Sequence, residues 1–462
     1  MNLVKKFFFL VFVTLLITSC GTEQVSDASL KLPMDRLVRD EALVFNIEQQ
    51  IGQSFTVEQD SVVFLLEKPV LLDIQVGPNH SYVYLRPGEH LSLDTISTQP
   101  LVMSPLGDRS KENEYLLRLA QSLNEDLDGV RLTAMASSEP DSFLIKLEQK
   151  FSASAAVLEE ALAEEGLAPD FKDAIDFYLR SFYGTHLANY SMVYGYHHDT
   201  VPELPEDFYQ PITSVDLTDN NWLLFENSRQ MLSTWHGRDI DYSDYGSPPA
   251  YFAALLESAQ NAYPGSLVGD YTEYASLEEY INFGNGIDNA DAEITAYQQR
   301  VTNTYLQEQL KATIEPWQAL KSGEPAPDFL VRNREGQEVR LADLAGKRVY
   351  IDVWATWCGP CIREIPALKT LEEELHDAGV QFVSISIDAE KDHEKWLDFI
   401  EERELGGLQL MADGAWQSDV VESYNIKGIP RFLLIDEEGK IISADAPRPS
   451  DPSAKEVITG EG

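Results

Sequence analysis

One stretch of sequence decides the fold of the C-terminal region: Val349-Tyr350-Ile351-Asp352-Val353-Trp354-Ala355-Thr356-Trp357-Cys358-Gly359-Pro360-Cys361. Its run up to Trp354 is almost continuously apolar, as in a strand that is covered on both faces of a sheet. Gly359 and Pro360 favour a tight turn into a helix, because proline is tolerated in the first helical turn. The stretch therefore predicts a buried strand, a short loop and a helix that begins at two cysteines.

Alternating elements continue beyond this stretch. The pattern predicts a helix over Ile362–His376, a strand over Val380–Ile387, a helix over Glu394–Arg403, and a hairpin of Phe432–Ile435 with Ile441–Ile442. On the N-terminal side, glycine and proline in 321–327 end the preceding helical pattern. We expect an α/β domain over residues 321–462, a mixed sheet flanked by helices, with only 453–459 available for a short closing helix.

The residues before this domain divide into two further regions, as expected for a chain of 462 residues. Residues 44–104 contain short apolar runs separated by turn residues, which predict a small β-rich domain of antiparallel strands. Residues 105–320 have helical periodicity, and their aromatic stripes are interpreted as core packing. The predicted fold class is multidomain, with a β-rich domain and a helical region before the α/β domain.

The overall charge excludes one class of partner. The chain has 77 Asp and Glu against 35 Lys and Arg, a formal net charge of -42. Such a surface repels phosphate backbones, so we expect no binding to nucleic acid.

The N-terminus has the pattern of a targeting segment. Lys5 and Lys6 precede an apolar run that is too short to span a bilayer, which predicts a signal peptide over residues 1–19. Small residues directly before Cys20 resemble the lipobox of bacterial lipoproteins, so Cys20 is the expected lipidation site. A polar tether is expected over 20–43, with the protein in the cell envelope, lipid-anchored and facing the periplasm. An ordinary secretory signal is the alternative, and the choice of inner or outer membrane stays open.

The three cysteines of the chain are Cys20, Cys358 and Cys361. With Cys20 lipidated, an intramolecular disulfide can join only Cys358 and Cys361. Unpaired N–H groups at a helix start lower the pKa of a cysteine there, so the Cys358 thiolate is the expected nucleophile and Cys361 the resolving thiol. A structural zinc would need two further ligands. A purely structural disulfide is also disfavoured, because closing so short a loop removes little conformational entropy from the unfolded chain.

Two carboxylates are candidates for accepting the proton of Cys361. Asp352 lies in the predicted buried strand, where burial would raise its pKa towards neutrality, and Glu364 lies about one helical turn beyond Cys361. His197, His198 and His236 are interpreted as structural or solvent-exposed, because adjacent histidines on a helix point in different directions. No metal site is expected.

Several motifs together resemble the thioredoxin-like disulfide oxidoreductases of the TlpA and ResA kind. They are Gly323-Glu324-Pro325-Ala326-Pro327-Asp328-Phe329, Leu341-Ala342-Asp343-Leu344-Ala345-Gly346-Lys347, Trp354-Ala355-Thr356-Trp357-Cys358-Gly359-Pro360-Cys361, Glu364-Ile365-Pro366 and Tyr424-Asn425-Ile426-Lys427-Gly428-Ile429-Pro430. Peroxiredoxins share the Ala-Pro-Asp-Phe opening but lack the CxxC. The resemblance covers about the last quarter of the chain.

The resemblance implies roles for individual residues. Pro430 would be a cis-proline facing the disulfide, with the Ile429 backbone hydrogen-bonded to an extended substrate. Asp352 and Glu364 match carboxylates of the family's active site. Trp354 and Trp357 match its flanking tryptophans, for which packing is an equally good explanation. The residues expected to contact substrate are Trp357, Gly359, Pro360, Ile429 and Pro430.

The expected function is a membrane-anchored thiol-disulfide oxidoreductase that reduces disulfides of extracytoplasmic proteins. Its only redox group would be the Cys358–Cys361 pair, without a further cofactor, and a membrane thiol protein would supply electrons. Two alternatives stay open: a lipid-anchored binding or receptor protein with a secondary redox domain, and a disulfide oxidase or isomerase.

Overall fold

The computed structural model describes residues 25–460 apart from 38, 40, 99, 108–109, 128–134, 242–243, 246 and 285. The predicted signal peptide and Cys20 lie outside the described residues. Within them, paired strands, a helical region and an α/β domain follow one another along the chain, which confirms the predicted fold class. None of the described helices combines the length and apolarity needed to cross a membrane.

The β-rich region is built from two four-stranded sheets. Their orders are β4-β1-β7-β8 and β3-β2-β5-β6. The strands are β1 Ser26–Lys31, β2 Glu41–Asn46, β3 Ile51–Thr56, β4 Ser61–Leu66, β5 Val70–Val76, β6 Asn79–Leu85, β7 His90–Thr98 and β8 Leu101–Pro105. Inward side chains of both sheets, Leu30, Phe55 and Leu72 among them, form one apolar core. Pairing is antiparallel except between β1 and β7.

The first strand corrects the tether expected over residues 20–43. β1 pairs with β4 along its whole length and also with β7. Ala28 and Leu30 alternate with polar residues, and both side chains are fully buried. Two small apolar positions in a polar context are a weak strand pattern, and only the neighbouring strands make this segment part of a sheet.

The helical region packs against the second sheet, where Phe45, Leu71 and Tyr84 share an apolar cluster with its helices. Its helices are α1 Lys111–Leu127, α2 Pro140–Lys150, α3 Ser152–Ala163, α4 Pro169–His198, α5 Gln210–Thr213, α6 Glu226–Gly237, α7 Pro248–Ala262, α8 Leu267–Phe283, α9 Asp291–Arg300 and α10 Thr304–Gln318. The aromatic residues Phe177, Tyr178 and Phe182 of α4 are buried, as expected for core packing.

A buried ion pair joins the helical region to the β-rich region. Arg229 of α6 donates to Asp73 of β5 over 2.6 Å, and both side chains are almost fully buried. His80 lies 2.8 Å from the other oxygen of the same carboxylate. Buried charges are tolerated when they are paired and hydrogen-bonded, so this contact fixes how the two regions meet.

The α/β domain contains a seven-stranded mixed sheet of order β10-β9-β13-β12-β11-β14-β15. Its strands are β9 Leu330–Asn333, β10 Glu338–Arg340, β11 Arg348–Trp354, β12 Val380–Ser386, β13 Leu408–Met411, β14 Arg431–Ile435 and β15 Ile441–Ser443. Its helices are α11 Gly359–Glu374, α12 His393–Glu402, α13 Asp419–Ser423 and α14 Ala454–Thr459. The predicted elements are all present; α11 begins at Gly359, before the Ile362 of the periodic pattern and directly after Cys358, where the cysteine pair indicated a helix start.

The central strand β11 runs parallel to β12 and antiparallel to β14. Because α11 follows β11 after a short loop, the two cysteines lie at one edge of the sheet, where β11 ends. Pro430, directly before β14, lies at the same edge because β14 runs in the opposite direction.

Arg431 joins the α/β domain to the helical region. Its guanidinium is buried, donates to the carbonyl of Asn282 in α8 and pairs with Asp445 over 3.0 Å. It also lies over the ring of Trp317, 5.7 Å from the centroid. The helical region and the α/β domain therefore share a packed interface next to Pro430.

Candidate active site

Cys358 and Cys361 are joined by a disulfide at the start of α11. Cys358 is the residue that caps this helix, and its Sγ accepts a hydrogen bond from the Cys361 N–H over 3.2 Å. Both side chains are 4% exposed. In the reduced state the same N–H and the helix dipole would stabilise a thiolate on Cys358.

The loop between β11 and α11 is held by a buried aspartate that sequence reasoning missed. Asp388 accepts hydrogen bonds from the Thr356 N–H and hydroxyl over 2.9 and 2.7 Å, and from the Ser386 hydroxyl over 2.7 Å. These contacts fix the backbone directly before Trp357 and Cys358. One feature of the sequence could have identified Asp388: it directly follows a predicted buried strand. Functional side chains commonly lie at the carboxyl ends of parallel strands.

The Ile429–Pro430 peptide bond is cis, and it lies against the disulfide. The carbonyl oxygen of Ile429 is 3.7 Å from Cys358 Sγ. Both Ile429 and Pro430 are partly exposed. This loop is therefore in position to contact any molecule whose sulfur approaches Cys358.

Exposed residues surround the buried sulfur atoms. Trp357, Gly359 and Pro360 are all exposed, and the indole of Trp357 is 52% accessible. Its ring centroid is 6.4 Å from that of Trp416. Trp354, by contrast, is buried against Phe399. Trp354 therefore lies in the core, whereas Trp357 lies at the surface beside Cys358.

Asp352 lies in β11, opposite Ser384 of β12 and Phe432 of β14. Its carboxyl is buried, and its Oδ1 has no hydrogen-bond partner among the described residues. Burial, together with the nearby carboxylates of Glu364 and Glu372, raises the pKa of the Asp352 carboxyl to about 8. The group can therefore take up or release a proton near neutral pH.

Glu364 has a different environment from Asp352. Its carboxylate accepts hydrogen bonds from the Ser450 N–H over 3.0 Å and from the Ser450 hydroxyl over 2.9 Å. Glu364 thus connects α11 to the segment that follows β15. The described contacts of its carboxylate are with this segment, not with a cysteine.

The histidines considered as metal ligands have ordinary protein partners. His198 lies 2.8 Å from the carbonyl oxygen of Ser137, and His236 lies 3.2 Å from the hydroxyl of Ser276. Burial lowers the pKa of His236 to about 4, so it is neutral at physiological pH. Among the described residues, no three His, Cys, Asp or Glu side chains form a group that could hold a metal ion.

Comparison with known proteins assigns the family. The Redoxin family profile matches residues 321–458. The chain is 33% identical to the thiol-disulfide oxidoreductase ResA of Geobacillus thermodenitrificans over 142 residues, which cover 31% of this chain and 71% of the relative. It is 30% identical to ResA of Bacillus cereus over 123 residues, 27% of this chain and 68% of the relative. The chain belongs to the ResA family of thiol-disulfide oxidoreductases.

One solved structure is similar to part of this chain. The thioredoxin domain of a thiol-disulfide oxidoreductase from Bacteroides vulgatus is 33% identical; the match covers 27% of this chain and 87% of that chain, with a TM-score of 0.25. The family membership rests on the C-terminal domain, so the protein is a thiol-disulfide oxidoreductase through the domain that contains Cys358 and Cys361.

The ionisation of Asp352 predicts a pH dependence of stability. The folded domain retains this proton up to about pH 8, whereas the unfolded chain releases it near 3.8, the ordinary pKa of an aspartate side chain. The unfolded state binds fewer protons across this range, so stability falls as pH rises, by about 1.4 kcal/mol per unit at most between about pH 6 and pH 8. In Asp352→Asn this fall should be absent, which urea unfolding of the full chain at several pH values would measure.

Asp377→Asn is the matched control, because the Asp377 side chain is fully exposed. It should keep the pH slope of the unaltered protein. Equal slopes for Asp352→Asn and the unaltered protein would show that Asp352 is already ionised at pH 6.

Proposed function

We propose that this protein is a lipid-anchored thiol-disulfide oxidoreductase that reduces disulfides of extracytoplasmic polypeptides. One observation supports it above the others: a disulfide at a helix start, ringed by exposed residues, with the Ile429 carbonyl 3.7 Å from Cys358 Sγ. A sulfur at a helix start has the environment of a nucleophile, and the exposed residues around it offer a surface on which a partner can bind.

The reaction begins from the reduced pair. The Cys358 thiolate attacks one sulfur of the substrate disulfide, forming a mixed disulfide and releasing the other substrate sulfur as a thiolate. The Cys361 thiolate then attacks Cys358 Sγ, which releases the second substrate thiolate. Two electrons pass to the substrate, and the protein is left with the Cys358–Cys361 disulfide.

Asp352 is proposed to accept the Cys361 proton before the second attack, in the minor ionised fraction that a pKa of about 8 leaves at neutral pH. Its raised pKa matches this task, since a carboxylate with a pKa near the working pH can both accept and return a proton. Asp352→Asn should therefore slow release of the mixed disulfide by about a hundredfold. Glu364 is assigned a positioning role, because its carboxylate holds Ser450.

The substrate is proposed to bind as an extended segment beside Pro430. The Ile429 backbone would hydrogen-bond that segment in the manner of an added strand, while Trp357, Gly359 and Pro360 contact its opposite side. Main-chain recognition of this kind requires a flexible or unfolded segment and is independent of most side chains.

The anchor places this chemistry at a membrane surface. Lipid on Cys20 would hold the mature chain there, because each buried methylene of an acyl chain contributes about 0.8 kcal/mol. A reductase outside the cytoplasm needs electrons from inside, so the proposed donor is a membrane protein with its own thiol pair.

Substitution of each cysteine distinguishes the two steps. Cys358→Ser should reduce insulin, with dithiothreitol as electron source, no faster than the uncatalysed reaction. Cys361→Ser should instead accumulate mixed disulfides on Cys358, which mass spectrometry of cell extracts would identify. Full insulin reduction by Cys358→Ser would contradict the mechanism, and an absence of adducts would favour the binding-protein alternative.

The direction of electron flow is tested by the reduction potential of the pair. Equilibration with glutathione buffers should give a value near that of thioredoxin, about -270 mV. A value near about -120 mV, typical of strong oxidants, would reassign the protein as an oxidase.

The anchor is tested by Cys20→Ser. The variant should lose the acyl mass on its N-terminal peptide and move from the membrane fraction to the soluble fraction. An unaltered chain whose mature N-terminal peptide has no acyl mass would disprove lipidation.

A further inference from the structure

A groove of about 510 Å³ lies between the helical region and the α/β domain, within the size range of ligand sites. One wall belongs to the helical region, and the other includes Ile429, Pro430 and the segment after β15. Binding sites often lie at such boundaries between domains. The location raises the question of what the helical region contributes to the redox site.

The wall from the helical region is aromatic. Phe252 of α7 stacks on Phe283 of α8, with ring centroids 5.5 Å apart, and Tyr251 meets Phe252 edge-on at 5.2 Å. Pro248 and Pro249 begin α7 and line the same wall. All these side chains are partly exposed, so they offer apolar surface to the groove.

The groove adjoins the redox site at the cis-proline loop. Gly428, Ile429 and Pro430 line it, and the Ile429 carbonyl is the atom that lies 3.7 Å from Cys358 Sγ. The Phe283 ring approaches Gly428 so closely that a Cβ there would lie 3.2 Å from it. A polypeptide attached to Cys358 and extended along Pro430 therefore has the groove beside it.

The charged side chains that line the groove balance one another. Asp445 is paired with Arg431, and Asp451 accepts hydrogen bonds from the N–H and hydroxyl of Ser453. Arg448 is the other charged lining residue, and its guanidinium has no ion pair among the described residues. Two carboxylates and two guanidiniums line the groove, so their formal charges sum to zero and give no net attraction to a charged occupant.

We propose that the aromatic wall of the helical region is a specificity element of the disulfide oxidoreductase. The substrate is an extended polypeptide with an apolar side chain next to its cysteine, and that side chain packs against Phe252 and Phe283. The inference rests on the proposed function and adds to it the class of substrate. The helical region thereby takes part in recognition by the active site.

The test uses peptides whose cysteine is linked to nitrothiobenzoate by a disulfide. The Cys358 thiolate of the reduced protein attacks the peptide sulfur, and nitrothiobenzoate leaves with the bonding electrons as a coloured thiolate, because the thiol of lower pKa leaves faster. Cys361 then attacks Cys358 and releases the peptide thiolate. One peptide has Leu and Val beside its cysteine, and the other has Gly and Ser.

We expect the unaltered full-length protein to release nitrothiobenzoate from the Leu-Val peptide with a second-order rate constant about tenfold higher than from the Gly-Ser peptide. Phe252→Ala should remove most of this preference. Tyr196→Ala is the matched control, because Tyr196 is a highly exposed aromatic residue outside the groove; it should keep the full preference. No preference in the unaltered protein, or an unchanged preference in Phe252→Ala, would overturn the inference.

A second variant keeps the inference testable if Phe252→Ala does not fold. Ser247→Trp adds bulk at the groove without removing an aromatic contact, and it should also lower the preference for the Leu-Val peptide. Failure of the unaltered protein to react with either peptide, and with the symmetric nitrothiobenzoate disulfide, would refute the proposed function. Reaction with all three at equal efficiency would refute only the role of the aromatic wall.

Discussion

The buried guanidinium of Arg431 fixes the active-site loop against the rest of the molecule. Arg431 directly follows Pro430, and its charge is neutralised by Asp445 while it donates to the Asn282 carbonyl of α8. A buried charge is costly unless it is paired and hydrogen-bonded, so the arrangement persists only when the helical region is docked. The position of the cis-proline loop thus depends on residues far away in sequence.

A second set of contacts fixes the other side of the site. Asp388 holds the backbone at Thr356, and the helix that starts after Cys358 orients its N–H groups towards the sulfur. These contacts are formed before any substrate arrives, so little conformational freedom is lost when it binds. The redox pair therefore lies between two rigid supports, one within the α/β domain and one that includes the helical region.

The sequence predicted the parts of the fold whose pattern is local. The buried strand before Cys358, the helix after it and the β14–β15 hairpin all follow from apolar runs and turn residues. β1 was missed because its apolar positions, Ala28 and Leu30, are few, and partner strands distant in sequence bury them.

The candidate site shows the same limit. The cysteines, and Asp352 as a buried carboxyl, could be identified from their place in a strand-loop-helix pattern. The contact of Arg431 with Asn282 joins positions 149 residues apart, and the packing of Phe283 on Gly428 spans a similar separation along the chain. Neither leaves a periodic pattern, because both arise only when separate regions pack together.

The exposed indole of Trp357 has a consequence for how the protein can be observed. It immediately precedes Cys358 in the chain, while Trp222, Trp317, Trp354 and Trp396 are deeply buried. Disulfides quench the fluorescence of neighbouring indoles by accepting an electron from the excited state, and thiols do so less. We therefore expect the emission of Trp357 to increase when the pair is reduced, so that the unlabelled protein would report its own oxidation state in real time.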